Sequence, residues 1–236
     1  MSEQKVAAVE RALDILNAFG DGTRKLSLAE LAERTGFYRS TILRLADSLK
    51  RYGYLHRDAE GLFSLGPTLW RLGVLYHNAF DLADHVRPAL ADLVTATGET
   101  ATFYIRQGDK RLCLYRQHSS SAIRHHVDEG AELELDRSAD AHVLTAFTGG
   151  TGAFNDEVRA KGYWVALGEC NPEAGGISAP VFGADGKFIG ALGVTGLKDH
   201  FTGTNGARIT GVLMTKARAL SQALAGQWLR RSRRFR

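Results

Sequence analysis

Cysteine and long apolar runs are scarce in this chain, and each scarcity excludes a class of protein. The two cysteines in 236 residues are too few for a disulfide framework or a cysteine-based metal cluster. No apolar run approaches the roughly 20 residues that a membrane-spanning helix needs, and the first residues lack the layout of a signal peptide. With 44% hydrophobic and 24% charged residues, the composition is that of a globular protein. We therefore expect a cytoplasmic protein that has no membrane partner.

Basic residues are concentrated in two segments. Residues 24–57 contain eight Lys/Arg and three Asp/Glu, a local charge of +5 (8 − 3), in a chain whose net charge is +4. The last nine residues, WLRRSRRFR, contain five arginines. A basic terminus is often only a solvated tail, so the prediction depends on the first segment. A short basic segment of this kind is more typical of nucleic-acid binding than of membrane binding.

The first 66 residues have the pattern of three helices and a hairpin. Apolar residues recur at helical spacing in residues 6–19. Ser27, with Glu30 three residues later, predicts a capping box at the start of a second helix. A third helix follows Phe37 and ends before Gly53, and YLHRDAEGLFSLG alternates on both sides of DAEG, as a hairpin does. This order is that of a winged helix-turn-helix.

The third helix of such a fold lies in the major groove of DNA, with its first residues near the bases. Arg39 and Arg44 suit phosphate or guanine contacts, and Ser40 and Thr41 can donate to backbone oxygens. Two alternatives stay open: Ser40 as the N-cap of the helix, and a solvated face for Arg44. Arg57 lies near the hairpin tip, where it can reach a flanking phosphate or the minor groove. The predicted DNA-binding residues are Ser27, Arg39, Ser40, Thr41, Arg44 and Arg57.

The rest of the chain alternates helical and strand patterns. Pro67 begins a helix whose broad apolar side could pack against a partner chain or within its own chain, and Pro88 begins a second helix. From Glu99 period-2 runs predict strands, with turns at QGDK and at residues 185–186 and helices near 139–147 and 155–161. The sequence predicts an α+β protein: winged helix-turn-helix at 1–66, linker helix at 67–81, mixed α/β domain at 82–227 and basic tail at 228–236.

Three stretches of the chain resemble the IclR-type bacterial transcription regulators. The segment SLAELAERTGFYRSTILRLADSLKRYGYLHRDAEGLFSLGPTLWRLG is similar to their N-terminal domain, and TGETATFYIRQGDKRLCLYR and GGISAPVFGADGKFIGALGVTG to their effector domain. The resemblance covers residues 5 to about 225, with both halves in order. It implies a GAF-like domain that binds a small, often acidic or aromatic, metabolite. It also implies homodimers or dimers of dimers on palindromic double-stranded operators, usually near catabolic operons. We expect neither enzymatic activity nor a cofactor.

One segment departs from the family pattern. The family commonly reads close to PLHATALGKALLAF, whereas this chain has ELDRSADAHVLTAF at residues 134–147. Glu134 and Asp136 replace the family Pro and His, and Ala141 and His142 replace its Gly-Lys pair. Because this loop borders the ligand pocket of the family, we expect a ligand that differs from the family's common ones, or a pocket that binds nothing.

The resemblance also implies a set of pocket residues, most of them small. Small residues leave room for a ligand, but they serve close packing of strand on helix equally well. Asp140 at a helix start would oppose an anion unless it is protonated or paired, so we expect a ligand with a donor group, such as a phenol, amide or amine, and an aromatic ring near Trp164 and Phe103. The predicted effector residues are Ala122 and His125 on a short strand, Ala139 and Asp140, Ala166 in a loop, and Gly176, Gly193 and Thr195 on strands.

Other functions have weaker support in the sequence. The segment HSSSAIRHHVDE gathers five possible metal ligands, but His125 and His126 are adjacent and would point to opposite faces of a strand, so no metal site is predicted. No strong constellation for catalysis is present, and an esterase or another hydrolase is the weakest of the alternatives. The main alternative is a DNA-binding protein whose C-terminal domain only oligomerises. A pocket filled by Phe103, Tyr104 or Trp164 would favour that alternative.

Overall fold

The computed structural model describes residues 6–79, 82–119 and 127–232, and the chain divides into two compact units, residues 1–80 and 81–236. The N-terminal unit has the predicted three helices followed by a hairpin. Its strands pair antiparallel, with Leu55 opposite Leu65. Its elements are α1 (Ala7–Asn17), α2 (Leu28–Thr35), α3 (Arg39–Arg51), β1 (Leu55–Arg57), β2 (Phe63–Leu65) and α4 (Pro67–Ala79).

One apolar core holds the N-terminal unit together. Each of the first three helices contributes a fully buried aliphatic residue: Ile15, Leu31 and Ile42. Phe63 of the hairpin closes this core, and its carbonyl oxygen accepts a hydrogen bond of 2.9 Å from the Leu26 N–H. Because α3 turns Ile42 inward, the polar side chains of its opposite face point to solvent.

Helices α2 and α3 begin in different ways. The predicted capping box of α2 is confirmed: Ser27 Oγ accepts from the Glu30 N–H at 3.2 Å, and the Ser27 N–H donates to Glu30 Oε2 at 2.7 Å. The alternative that Ser40 is the N-cap of α3 is wrong, because α3 begins at Arg39 and Tyr38 is its N-cap residue. The helix starts there because the Tyr38 carbonyl accepts from the N–H groups of residues 41 and 42.

The C-terminal unit is built on one antiparallel sheet of six strands, in the order β5-β4-β3-β8-β7-β6. Helices α5 and α8 pack on one face, and α6 and α7 pack on the other. The mixed α/β architecture predicted for this part of the chain is confirmed. Its elements are α5 (Leu82–Thr97), β3 (Thr100–Gln107), β4 (Lys110–Gln117), β5 (Glu132–Glu134), α6 (Ala139–Phe147), α7 (Ala153–Lys161), β6 (Trp164–Leu167), β7 (Ala174–Phe182), β8 (Phe188–Leu197) and α8 (Gly203–Ser232).

Three boundaries differ from the sequence prediction. Helix α5 begins at Leu82 and contains Pro88, because buried Val86 and Leu90 pack on either side of the proline and hold the helix together across it. Ala166 lies in β6, not in a loop, since residues 164–167 pair with β7. Helix α8 continues to Ser232, past the predicted boundary at residue 227.

Candidate functional site

The exposed front of α3 carries most of the predicted DNA-binding residues. Arg39, Ser40 and Arg44 are exposed and Thr41 is half-buried. Neither arginine side chain has a hydrogen bond or an ion pair within the described part of the chain. Lys50, further along the same helix, is instead paired with Asp47 at 3.1 Å. The two arginines are therefore available to an anionic partner, as a phosphate-contacting surface requires.

The remaining two predicted DNA-binding residues have structural contacts of their own. Arg57 Nε donates to the Gly61 carbonyl at 3.1 Å, and the guanidinium lies over the Phe63 ring, 4.9 Å from its centroid. Ser27 is occupied by the capping box of α2. The structure thus brings four of the six residues together on α3 and places Ser27 and Arg57 in supporting roles on α2 and the hairpin.

A cavity of about 410 Å³ lies in the C-terminal unit, at the start of α6. Its volume is within the range of small-molecule sites. Ala166, Gly176 and Thr195 stand in register on three neighbouring strands and form part of its wall. A Cβ at Gly176 would lie 3.2 Å from Thr195 Cγ2, so the small residues there keep the strands' side chains clear of each other. Two further predicted residues, Ala139 and Asp140, also line the cavity.

The other three predicted effector residues are not among the cavity-lining residues that the structure describes, for two different reasons. Ala122 and His125 lie outside the described residues. Gly193 lies beneath Asp140, and a Cβ on it would collide with the Asp140 carboxylate. Gly193 therefore serves the close packing of α6 on the sheet, which was the alternative explanation for the small residues.

Asp140 is a buried carboxyl group at the first turn of α6. Its side chain is 3% exposed, and its Oδ1 atom has no hydrogen-bond partner in the described ranges. Burial raises the pKa of Asp140, and the neighbouring Arg111 charge and a hydrogen bond with Ser178 only partly oppose that shift. A carboxyl with a raised pKa is more readily neutral, and it then donates a hydrogen bond and does not repel an anion.

Arg111 ties the loop before α6 to the sheet. Its Nη2 atom pairs with Asp136 Oδ2 at 3.0 Å, its Nη1 atom donates to the Ser138 hydroxyl, and its guanidinium lies 5.2 Å from the Tyr104 ring centroid. Ser138 is the N-cap of α6, and its own N–H donates to Asp136 Oδ1 at 2.9 Å. This arrangement fixes the start of α6 against β4 through residues that are far apart in sequence.

The charges in this network shift the pKa of two neighbouring groups. Burial alone would raise the pKa of Asp136, but the hydrogen bonds from Ser138 and the Arg111 charge outweigh burial, so the pKa is lowered. Cys170 is exposed and its thiol donates to Asp136; burial and the Asp136 charge raise the thiol pKa. The thiol of Cys170 therefore stays protonated and is not an activated nucleophile.

The aromatic side chains are placed differently from the prediction. Phe103 packs in the core between the sheet and helices α5 and α8, on the face opposite the cavity. Trp164 packs beside Phe154 with ring centroids 4.7 Å apart and does not line the cavity. Tyr104 is the aromatic residue of the cavity wall, and burial raises the pKa of its phenol, so it stays neutral. Neither Trp164 nor Phe103, near which a ligand ring was expected, is among the residues that line this cavity.

The predicted effector set leaves out several charged and polar residues of the cavity wall. A signal for one was present: Arg111 is two residues before buried Cys113 on a strand, so an alternating pattern places a charge on an apolar face. A charge in that position needs a partner, but the sequence does not say which residue supplies it. The residues that the structure adds are Tyr104, Arg111, Arg116, Asp136, Arg137, Ser138, Glu169 and Cys170.

The described structure offers neither a metal site nor a membrane-spanning helix. In residues 6–79, 82–119 and 127–232 no three His, Cys, Asp or Glu side chains are grouped so that they could hold a metal ion. The same ranges contain no helix that is long and apolar enough to cross a membrane.

Comparisons with known proteins agree for both units. The IclR helix-turn-helix domain matches residues 8–59, and the C-terminal domain of the bacterial transcriptional regulator IclR matches residues 74–152. Among curated proteins, the HTH-type transcriptional regulator KipR of Bacillus subtilis is 24% identical over 85% of this chain and 90% of its own length. The HTH-type transcriptional regulator BhcR of Paracoccus denitrificans is 26% identical over 93% of this chain and 88% of its own.

Solved structures have the same fold. An IclR transcriptional regulator from Alicyclobacillus acidocaldarius superposes with a TM-score of 0.77 at 24% identity, covering 94% of this chain and 99% of that one. An IclR homolog from Microbacterium hydrocarbonoxydans, complexed with 4-hydroxybenzoate, has a TM-score of 0.78 at 20% identity, covering 93% and 99%. The matched families and relatives are transcriptional regulators and not enzymes. With both domains matched in order, this chain belongs to the IclR family of bacterial transcriptional regulators.

Proposed function

We propose that this protein is a ligand-responsive transcription regulator that binds a palindromic operator as a dimer or a dimer of dimers. A small aromatic or organic-acid-like metabolite would bind the cavity at the start of α6 and change the affinity for DNA. Control of a catabolic operon follows from the same resemblance, and a bacterial operator-binding protein works in the cytoplasm. The observation that carries the proposal is the cavity of about 410 Å³ in the C-terminal unit.

The polar groups of the cavity support a ligand that both accepts and donates hydrogen bonds. The Arg111 charge is already paired with Asp136, so it offers an anion less than a free arginine would. Asp140, whose pKa burial raises, can donate to a ligand oxygen when it is neutral. The phenol of Tyr104 adds a hydroxyl and an aromatic edge. A phenol or a phenolic acid fits this combination better than a simple aliphatic acid does.

Two apolar surfaces support self-association of the N-terminal unit. Val9 and Leu13 of α1 are 55% and 52% exposed, and Trp70 and Leu75 of α4 are 78% and 54% exposed. Soluble proteins rarely leave such side chains uncovered in groups unless they meet a partner. A second copy of the chain would cover these helix faces and bring two α3 helices to one operator.

The mechanism that we propose is a shift between two arrangements of the dimer. Two α3 helices about 34 Å apart would enter successive major grooves of a palindromic site. A ligand can change operator affinity only by as much as its own affinity differs between the two arrangements, typically about 1–3 kcal/mol. The Arg111–Asp136–Ser138 contacts, which join the cavity wall to α6, are where a ligand would act on the C-terminal unit.

Fluorescence anisotropy tests the proposal directly. The full-length protein is titrated onto its own promoter DNA with and without phenols, phenolic acids, aliphatic acids and amides. A change in affinity with one compound class, lost in a variant with Ala166→Trp that fills the cavity, is the expected result. Tight specific binding that no compound alters would instead support a C-terminal domain that only oligomerises. Absence of specific DNA binding would refute the regulatory function.

A further inference from the structure

The backbone at the start of α3 has the shape that a capping residue needs, but a tyrosine occupies it. Tyr38 has φ −62° and ψ 140°. Ser27 and Ser138, which cap α2 and α6 with their hydroxyls, have φ −73° with ψ 165° and 157°. The chain therefore caps two helices from this backbone region by side-chain hydrogen bonds, whereas the Tyr38 side chain makes no capping bond.

The tyrosine is unfavourable for folding at this position. Ser, Thr, Asp and Asn stabilise a helix start, and bulky residues there forgo that stabilisation. The Tyr38 side chain is 86% exposed, and no ring contact or hydrogen bond involves it within the described residues. Burial thus does not offset the lost cap. A residue that departs from a local rule without a compensating contact in the folded chain is expected at a functional position.

The neighbours of Tyr38 indicate what it contacts. It directly precedes exposed Arg39 and Ser40, on the end of α3 that approaches DNA in the proposed function. Tyrosine is not one of the side chains that pair with base edges, but its hydroxyl is a common donor to phosphate oxygens. We propose that Tyr38 is a DNA-contacting residue whose phenol donates a hydrogen bond to a backbone phosphate, in place of a helix cap. This inference rests on the proposed function, because it requires that α3 binds DNA.

Removing a neutral phenol and removing a charged arginine should change the salt dependence of DNA affinity differently. Arg39 displaces a counterion when it contacts a phosphate, so Arg39→Ala should lower the slope of log affinity against log salt by about one. Tyr38 carries no charge, so its loss should weaken binding at every salt concentration without changing that slope. A phosphate contact also carries no sequence information, so the loss should be equal on specific and scrambled DNA.

Three substitutions separate the hydroxyl, the ring and the cap. Tyr38→Phe removes only the hydroxyl, Tyr38→Ala removes the ring without adding a cap, and Tyr38→Ser adds the missing cap. We expect Tyr38→Phe to weaken binding by about tenfold, the size of one hydrogen bond to a charged group, and the other two to weaken it at least as much. Tyr38→Ser should also slow hydrogen exchange of the α3 amides by about fivefold relative to Tyr38→Ala, because it caps the helix.

The experiment uses full-length protein, a duplex that the wild type selects from a random-sequence pool, and a scrambled duplex of equal length. Anisotropy at several salt concentrations gives affinity and slope, and hydrogen exchange gives the stability of α3. Weaker DNA binding together with a more protected helix in Tyr38→Ser is the expected pair of results. Wild-type affinity in Tyr38→Phe would overturn the phosphate contact and leave the proposed function intact. Failure of the wild type to select any duplex would refute both.

Discussion

The arginines of α3 and the arginine that joins the cavity wall to α6 lie in opposite environments. On α3, Arg39 and Arg44 are exposed and have no partner within the described chain. At the cavity, Arg111 is buried and engages Asp136 and the Ser138 hydroxyl. A free exposed arginine contributes little to folding and is available to a phosphate, whereas a buried arginine needs its partners for the fold itself. Substitutions should therefore change DNA affinity in the N-terminal unit and stability in the C-terminal unit.

The largest expected effect is the loss of Arg111. Arg111→Ala leaves Asp136 without its cation, removes the bond to the α6 cap residue and opens space beside Tyr104. Arg111 is buried but Asp136 is 37% exposed, so water partly stabilises the unpaired carboxylate. The lost pair, the lost hydrogen bond and the lost packing together should cost about 2–3 kcal/mol, and urea unfolding of the full chain would measure it. Lys110→Ala is the matched control on the same strand: its pair with Glu132 is exposed and 3.7 Å long, so the loss should stay below about 0.5 kcal/mol. Equal losses would contradict the contrast between buried and exposed charges.

A glycine beneath the same network tests its packing. Gly193→Ala would place a Cβ against the Asp140 carboxylate and should destabilise the protein by about 1–3 kcal/mol through overpacking. Gly211 in α8 meets nothing within 4 Å of an added Cβ, so Gly211→Ala should stabilise by about 0.5–1 kcal/mol through helix propensity. The double variant Gly193→Ala/Asp140→Ala should recover part of the loss, because the clash is then absent. Additive losses in that double variant would exclude the clash as the cause.

Replacing an arginine of α3 should instead weaken DNA binding and leave the stability of the protein unchanged. Arg44→Ala should weaken specific DNA binding by about 1–3 kcal/mol if the side chain reads a base, with unfolding free energy unchanged within about 0.5 kcal/mol. An equal loss on selected and random duplexes would make Arg44 a phosphate contact. Lys50→Ala is the control, because Lys50 lies on the same helix but is already paired with Asp47. A stability loss in Arg44→Ala comparable to that of Arg111→Ala would contradict the contrast between exposed arginines on α3 and the buried arginine of the cavity.

Whether a feature of this fold could be predicted from the sequence depends on how far apart in the chain its interacting residues lie. The capping box joins Ser27 and Glu30, three residues apart, and α6 begins and ends where its pattern predicts, at Ala139 and Phe147. Local patterns of this kind need no knowledge of the fold. The start of α5 was mispredicted because burial on both sides of Pro88 overrode a local rule about proline.

The candidate site depends on contacts that local patterns cannot specify. Arg111 and Asp136 are 25 residues apart and meet only because β4 runs beside the loop before α6. The resemblance supplied Ala139, Asp140, Ala166, Gly176 and Thr195 as a set, but it did not distinguish the wall of the cavity from the packing role of Gly193. Pairs of charged residues that are distant in sequence can be identified only when the strand order is known.

The smallest expected effects are differences in pH dependence between the two carboxyls of the cavity wall. Asp140 has a raised pKa in the folded protein, so the stability that its protonated form contributes is complete below the unfolded pKa of about 4 and is lost as pH rises through the folded pKa. Asp136 has a lowered pKa, so its contribution is present above about pH 4 and is lost as pH falls.

Replacing each carboxyl by a neutral amide of nearly equal shape should therefore change the pH dependence of stability in opposite directions for Asp140 and Asp136. Relative to wild type, Asp140→Asn should gain stability as pH rises from 3 towards 8. The wild-type carboxyl must then either stay protonated or ionise in a buried site, and both cost free energy of folding. Asp136→Asn should lose stability over the same interval, because the wild-type carboxylate gains its bonds to Arg111 and Ser138. Thermal unfolding at a series of pH values measures both differences. Parallel curves would mean that the carboxyls share one environment, which contradicts a buried acid at the start of α6 beside a paired one at the cavity mouth.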